Sequence, residues 1–189
     1  MTIARKLALL VLFALLGMGV MTAWFLVSER KLILEERQTG VRQVVEVAHG
    51  IAVHFHTLST KGAMPDEEAR QRAAAAMQAL RYSGNEYIWI NDMHPRMVMH
   101  PVRPELNGQD LSANKDPNGL PLFMEFVRIV KTQGAGFVPY MWPKAGSDIP
   151  VEKTSYVKGF EPWGWVIGSG VYIDTVNAAI WKRAMGFGA

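Results

Sequence analysis

The chain has no cysteine among its 189 residues, and this absence removes several kinds of chemistry at once. Without a thiol the chain has no disulfide, no cysteine nucleophile and no thiolate ligand for a metal ion. The absence is compatible with an oxidising compartment. Nucleic-acid binding is not expected either, because a net charge of +3 is small and the basic residues form no stripe.

Motifs of catalysis and of metal binding are missing as well. Gly168-Ser169-Gly170 lacks the Gly-x-Ser-x-Gly pattern of a nucleophile elbow, and no third glycine follows to complete a dinucleotide-binding turn. His54 and His56 are two residues apart on a predicted helix, so their side chains do not face each other. We therefore expect no enzyme activity, no metal site and no cofactor.

One long apolar segment is present, from Leu7 to Val27, and it contains no charged residue. Its about 21 residues correspond to roughly 31 Å of helix, which matches the apolar core of a bilayer. Arg5 and Lys6 precede it, so the positive-inside rule predicts a cytoplasmic N-terminus and an extracytoplasmic remainder. A cleaved signal peptide is the alternative, although the segment is long for one and no clear cleavage site follows.

A second long helix is predicted from Ser28 to about Lys61, because apolar residues recur there every seven positions. The two apolar series are Leu34, Val41, Ala48 and Phe55, and Val44, Ile51 and Leu58. Such a stripe fits a helix that lies on its own domain's sheet, and it also fits a dimer seam. The length of the helix favours both. A further helix begins at the acidic turn Asp66-Glu67-Glu68 and continues to Leu80.

Five strands are predicted in the remaining chain, at residues 86–91, 96–101, 136–142, 152–159 and 163–173, with an amphipathic helix at 122–132. The last strand contains Gly168 and Gly170, which indicates a close approach by a backbone or a ligand. Asp174 is the predicted N-cap of a terminal helix over 175–185. Short connections predict an antiparallel sheet in an α+β fold. The long helix would cover one face, and the 122–132 helix would roof a cavity on the other.

Aromatic residues with a polar group gather on the predicted strands. Tyr87 and Trp89 point to one side, as do Tyr140 and Trp142, and Tyr156 and Trp163 are candidates from the fourth strand and the loop after it. Such residues suit a small apolar site with a few hydrogen-bond donors. Ordinary core packing is the alternative.

Cationic donors near these rings are His100, Arg103, Lys144 and Lys153. Lys153 lies within a strand, where a buried ammonium needs an anionic partner such as a ligand carboxylate. The alternative is a solvated lysine on an edge strand. His100 also has an alternative interpretation, as a structural residue at the end of a strand.

Several separated segments resemble, in order, the single Cache family of extracytoplasmic sensor domains. The first strand pair corresponds to Tyr87-Ile-Trp-Ile-Asn-Asp-Met-His-Pro-Arg-Met-Val-Met-His-Pro101, and the helix start to Asp116-Pro-Asn-Gly-Leu-Pro-Leu-Phe-Met-Glu-Phe126. The last three strands correspond to Gly136-Phe-Val-Pro-Tyr-Met-Trp142, Lys153-Thr-Ser-Tyr-Val157 and Trp163-Gly-Trp-Val-Ile-Gly-Ser-Gly-Val-Tyr172.

The resemblance implies a PAS-like sheet behind a long helix and an extracytoplasmic pocket for small molecules, often short carboxylates. Chemoreceptors and sensor histidine kinases are the usual hosts. By position, the pocket residues would be Tyr87, Trp89, His100, Tyr140, Trp142, Lys153 and Tyr156. Lys153 and His100 would hold the carboxylate, and the rings would surround the carbon tail.

The sequence thus predicts a cytoplasmic segment at 1–6, a transmembrane helix at 7–27 and a sensor domain at 28–185. Residues 186–189 are expected to be a tail or the start of a truncated second span. We expect an anchor in the bacterial inner membrane and a homodimer through the long helix. The periplasmic domain is expected to bind a C2–C4 acid and to relay the signal through its terminal helix. A host receptor would continue beyond Ala189, so the chain is expected to be either a fragment or a free-standing sensor. The alternative function is a ligand-free module that regulates a membrane partner.

Overall fold

The computed structural model describes residues 2–175, without the side chains of Ala8 and Leu26. The described chain falls into two compact units that divide between Glu36 and Arg37. Helix α1 (Ile3–Thr60) begins in the first unit, where most of its apolar side chains are exposed. Within residues 2–175, α1 is the one helix whose length and composition would allow it to cross a membrane.

The second unit, Arg37–Thr175, is an α+β fold built on an antiparallel sheet. Its helices are the end of α1, α2 (Asp66–Gln78) and α3 (Leu122–Gln133). Its strands are β1 (Arg81–Tyr82), β2 (Glu86–Asp92), β3 (Met97–Met99), β4 (Ala135–Pro143), β5 (Pro150–Phe160) and β6 (Trp165–Tyr172). Short 3₁₀ helices span Pro104–Leu106 and Glu161–Trp163.

The strand order is β1-β2-β6-β5-β4, and β3 pairs with β2 outside this path. Strand β6 therefore lies in the centre between β2 and β5, and all of its residues are buried. Aromatic and β-branched residues make up much of β6, as expected for a strand that is covered on both faces.

The two faces of the sheet are covered by different helices. On one face, Arg42 of α1 lies over the rings of Phe137 and Tyr156, and Glu46 forms an ion pair with Lys158. On the other face α3 packs on β4 and β5 through an apolar side. The α3 residues in this core are Leu122, Phe123, Phe126, Val127, Ile129 and Val130. The α+β prediction and the antiparallel sheet are confirmed.

Three details of the prediction are wrong. The sheet has six strands, not five, because Arg81 and Tyr82 form a short edge strand opposite Tyr87 and Glu86. The turn between them places Ser83 and Gly84 at φ 44° and 93°, so these residues make a hairpin turn. Strand β6 begins at Trp165, two residues later than predicted, because Trp163 belongs to a 3₁₀ helix.

The third error concerns Asp174, the predicted N-cap of the terminal helix. Residues 173–175 are already helical, and the Asp174 carboxylate accepts a hydrogen bond from Lys144 Nζ at 2.6 Å. The rest of the predicted terminal helix lies outside the described residues.

The α1 stripe is used by the domain itself. Val41, Val45, Ala48 and Ala52 are buried within the second unit. Val41 and Ala48 were candidates for a dimer seam, and their burial assigns them to the core of their own domain. Val47 and Val53 remain exposed on the same helix.

Candidate ligand-binding site

A small cavity lies between the sheet and α3. Its lining is mostly aromatic and consists of Tyr87, Trp89, His100, Leu122, Phe123, Phe126, Tyr140 and Trp142. Strand alternation brings Tyr87 together with Trp89, and Tyr140 together with Trp142, because residues two apart on one strand point to the same face. The free space among these side chains is about the size of one water molecule.

Lys153 extends from β5 beneath this aromatic cluster and is 1% exposed. Its ammonium lies 4.3 Å from the ring centre of Tyr87, 4.5 Å from that of Tyr172 and 5.6 Å from that of Trp89. Ring faces carry partial negative charge, so they stabilise a desolvated cation in part. Among the residues that the structure describes, no carboxylate forms an ion pair with this ammonium.

The hydroxyl of Tyr87 connects the ammonium to the cavity wall. Its oxygen accepts the indole N–H of Trp142 at 3.1 Å and a hydrogen of Lys153 Nζ at 3.2 Å. A phenolic oxygen has two lone pairs, so these two donors occupy it as an acceptor. The hydroxyl proton of Tyr87 is consequently available to donate to a further group.

His100 is held as a neutral hydrogen-bond donor. Its Nδ1 accepts the backbone N–H of Arg103 at 2.9 Å and that of Val102 at 3.3 Å, which places the ring proton on Nε2. Burial lowers the pKa of His100 to about 3, and the charges of Lys153 and Arg103 add to this effect. The expectation of a cationic His100 is therefore wrong at neutral pH.

Glu86 is a half-buried acidic residue on which the charge of Lys153 acts. Burial raises the pKa of Glu86, while the positive charges of Lys153 and Lys144 act in the opposite direction. Its Oε2 is buried and makes no hydrogen bond. Glu86 is thus a poorly solvated neighbour and does not form a direct counter-ion contact with Lys153.

The structure brings most of the predicted pocket residues together. Tyr87, Trp89, His100, Tyr140 and Trp142 line the cavity, and Lys153 contacts Tyr87 directly. Tyr140 also donates to or accepts from the hydroxyl of Ser155 at 2.9 Å. Burial raises the pKa of the Tyr140 hydroxyl well above its usual value, so it stays protonated.

Tyr156 is not part of the cavity. Its ring lies 4.9 Å from that of Phe137 and 5.3 Å from the guanidinium of Arg42, on the face that α1 covers. Residues three apart on a strand point to opposite faces, so the side chains of Tyr156 and Lys153 cannot lie on the same face of the sheet. Trp163 is on that face too, where its ring lies 5.8 Å from that of His56.

The other two predicted cations bind carboxylates elsewhere. Arg103 pairs with Asp148 at 3.1 Å while its guanidinium lies 5.7 Å from the ring centre of Trp142. Lys144 pairs with Asp174. Neither lines the cavity.

Tyr172 is the neighbour of Lys153 that the sequence analysis missed. Its hydroxyl lies 3.4 Å from Lys153 Nζ and donates to the carbonyl of Pro143 at 2.8 Å. The signal was available in part, because Tyr172 has the same parity on its strand as Gly168 and Gly170. The strand pairing that places it opposite Lys153 could not be read from the sequence.

Known proteins with a similar sequence are bacterial sensory proteins. The chain is 42% identical over 178 residues to the methyl-accepting chemotaxis protein McpP of Pseudomonas putida, which covers 94% of this chain and 33% of that protein. It is 31% identical over 124 residues to the sensor histidine kinase MctS of Rhizobium johnstonii, which covers 66% of this chain and 27% of that protein. The chain thus spans about a third or less of the length of these relatives.

Solved structures with a similar fold are sensor domains. A periplasmic sensor domain of a chemotaxis protein superposes with a TM-score of 0.73 at 55% identity, over 74% of this chain and 96% of that one. A Cache chemosensory domain, described as giving the structural basis for carboxylic acid recognition, superposes with a TM-score of 0.72 at 48% identity, over 75% and 97% of the two chains. The family model of the Cache domain matches residues 21–186. The resemblance found in the sequence is confirmed, and the chain belongs to the Cache domain family.

Proposed function

We propose that this Cache sensor domain binds a short carboxylate of two to four carbons beside Lys153. The observation that carries the proposal is the buried ammonium of Lys153, which no carboxylate pairs within residues 2–175. A buried charge without a counter-ion is costly, so an anion that enters the cavity gains strong electrostatic attraction. The carboxylic acid recognition attributed to a similar Cache domain supports the same ligand class.

The surrounding groups fit the two ends of such a ligand. The Tyr87 hydroxyl and His100 Nε2–H are neutral donors that can bond carboxylate oxygens next to the ammonium. The rings of Phe126 and Trp142 and the side chain of Leu122 offer apolar contact to a short carbon tail. We assign the ligand role to Tyr87, Trp89, His100, Tyr140, Trp142 and Lys153.

The small cavity sets a requirement for binding. A carboxylate has more atoms than the space for one water molecule admits, so the ligand must displace part of the aromatic wall. The same observation favours a second candidate function, a module with a self-filled pocket that regulates a membrane partner by contact. Ligand titration separates the two.

We further propose a periplasmic location, with the apolar start of α1 as a membrane anchor and with the domain acting in a chemoreceptor or a sensor kinase. The composition of α1 and the names of the relatives support this context. The output would pass through the end of β6, where Tyr172 contacts Lys153 and Asp174 pairs with Lys144. In this role the domain binds the acid and relays the signal, and it catalyses no reaction.

A homodimer through α1 is part of the proposal. Four apolar residues and one histidine of α1 that their own domain does not fully bury follow a heptad spacing: Val44, Val47, Ile51, His54 and Leu58. Sedimentation of the full chain in detergent is expected to give a dimer, and Val47→Arg is expected to weaken it. A monomer at every concentration would contradict the dimer but not the ligand site.

The test of the ligand class is calorimetric titration of the full chain, solubilised in detergent, with sodium acetate, propionate, butyrate, lactate and pyruvate. At least one acid should bind, and acetamide and propionamide, which have nearly the same shape but no charge, should not. Absence of heat with every acid, from a chain whose circular dichroism shows it folded, would reject carboxylate sensing and favour the contact module.

A further inference from the structure

Strand β6 carries glycine at two successive positions that face the cavity, Gly168 and Gly170. Neither has a positive φ, so the backbone conformation itself does not require glycine at these positions. The reason must be the space that a side chain would fill. Gly170 lies under the Lys153 side chain, but an added Cβ there would also come within 2.8 Å of the backbone carbonyl of Thr154, so its replacement disturbs the sheet itself.

At Gly168 the three atoms nearest to an added Cβ all belong to one side chain, the indole of Trp89. A Cβ built on Gly168 would lie 2.6 Å from Cε2 and 2.8 Å from Cη2 of Trp89, and closer still to Cζ2. Real Cβ atoms essentially never approach heavy atoms below 3.0 Å. The six-membered ring of Trp89 therefore rests on bare backbone, directly opposite Gly168 in the strand pairing.

The Trp89 ring also lines the cavity. Its ring centre lies 5.6 Å from that of Phe126 on α3, and both residues line the free space. Because the Trp89 ring lies against β6 and also lines the cavity, a ring pushed off β6 should move into the space that a ligand needs. That space is already about the size of one water molecule, so a small movement has a large effect.

We propose that Gly168 is a specificity-determining position: by seating the Trp89 indole against β6, it determines how long a carbon chain the cavity accepts. The proposal rests on the proposed function for its ligand class and adds the residue pair that sets the size limit. Gly168 acts through Trp89 and is a positioning residue.

The test compares Gly168→Ala, Trp89→Phe and the double variant in the full chain by titration with acetate, propionate and butyrate. Gly168→Ala should weaken butyrate relative to acetate by about tenfold, the factor that one methylene is worth in an apolar pocket. Trp89→Phe removes the atoms that the new Cβ would strike, so the double variant should recover the preference of Trp89→Phe alone. Gly50→Ala is the matched control, because a Cβ at Gly50 meets no atom within 4 Å.

The outcomes separate the two proposals. If the unchanged chain binds acids and neither Gly168→Ala nor Trp89→Phe alters the butyrate-to-acetate ratio, the role of Gly168 is rejected while the ligand class stands. If the unchanged chain binds no acid, the ligand class is rejected. In that case the contact between Gly168 and Trp89 is tested by the free energies of unfolding of the unchanged chain, Gly168→Ala, Trp89→Phe and the double variant. Non-additive effects of the two substitutions on the free energy of unfolding support the contact, and additive effects reject it.

Discussion

Nζ of Lys153 on β5 lies 3.2 Å from the hydroxyl oxygen of Tyr87 on β2, although β6 runs between these two strands. The contact is possible because β6 presents Gly170 beneath it, where an added Cβ would lie 2.9 Å from Cε of Lys153. A glycine in the central strand thus lets side chains from two non-adjacent strands meet above it. The ammonium, the hydroxyl and the cavity wall become one connected site.

Lys153→Met should weaken acid binding strongly without unfolding the domain. Removal of the ammonium takes away the charge that attracts a carboxylate, and we expect affinity to fall by at least about 30-fold, or about 2 kcal/mol. The free energy of unfolding should stay the same or rise, because a well-packed apolar side chain replaces a buried charge that lacks a carboxylate partner. Calorimetry and chemical denaturation measure the two quantities.

Lys158→Met is the matched control for this substitution. Lys158 is on the same strand but on the opposite face, where it pairs with Glu46. Its replacement should leave acid affinity unchanged. Equal loss of affinity in both variants would show that general positive charge, and not the buried ammonium, attracts the ligand.

Tyr87→Phe should weaken both the fold and ligand binding. The substitution removes the oxygen that accepts the indole N–H of Trp142 and a hydrogen of Lys153, and it leaves both donors buried. We expect a loss of about 1–3 kcal/mol in the free energy of unfolding, measured by denaturation. Tyr156→Phe, on the α1 face, should leave acid affinity unchanged, and a similar affinity loss in that variant would contradict the location of the site.

The part of the site that follows strand alternation could be predicted from the sequence. Tyr87 with Trp89, and Tyr140 with Trp142, share a face because side chains repeat every two residues along a strand. The same rule excludes Tyr156 once Lys153 is chosen, since the two are three residues apart, so the prediction of Tyr156 as a pocket residue contradicts strand alternation. Strand β1 was missed because two residues are too few to show alternation.

The neighbours and the charge of a residue depend on the fold and could not be predicted. Tyr172 reaches Lys153 only because β5 and β6 pair in a register that places the two residues opposite each other. His100 is basic by type, yet it is neutral here because burial, Lys153 and Arg103 all oppose its protonation. Sequence identifies the residue types, and the environment decides which form they adopt.

Acidification should lower the free energy of unfolding of this domain more steeply than that of a variant without His100. Its pKa is about 3 in the folded chain and 6.5 in a free side chain, so between these values the unfolded chain binds a proton that the folded chain does not. The free energy of unfolding contributed by this residue therefore decreases as the pH falls from about 6.5 to about 3, by at most about 1.4 kcal/mol per pH unit.

His100→Asn tests this linkage, because asparagine keeps a side-chain acceptor and does not titrate. Denaturation at several pH values should show a shallower slope for this variant than for the unchanged chain. Identical slopes for His100→Asn and the unchanged chain would contradict a buried neutral His100.

Tyr172→Phe should uncouple ligand binding from the end of β6. The Tyr172 hydroxyl donates to the Pro143 carbonyl and lies 3.4 Å from Lys153 Nζ. Lys144, which follows Pro143 at the end of β4, pairs with Asp174. A carboxylate that draws the ammonium towards the cavity would loosen this connection, so acetate should change hydrogen–deuterium exchange around residues 143–144 and 172–175. In Tyr172→Phe the acid should still bind, while this exchange response becomes smaller.

Tyr82→Phe is the matched control, because the Tyr82 hydroxyl forms a hydrogen bond with that of Ser169 on β6 at 2.6 Å and Tyr82 does not line the cavity. An unchanged response in Tyr172→Phe would mean that the signal leaves the site by another route, since the hydroxyl is the group that joins Lys153 to the strand end.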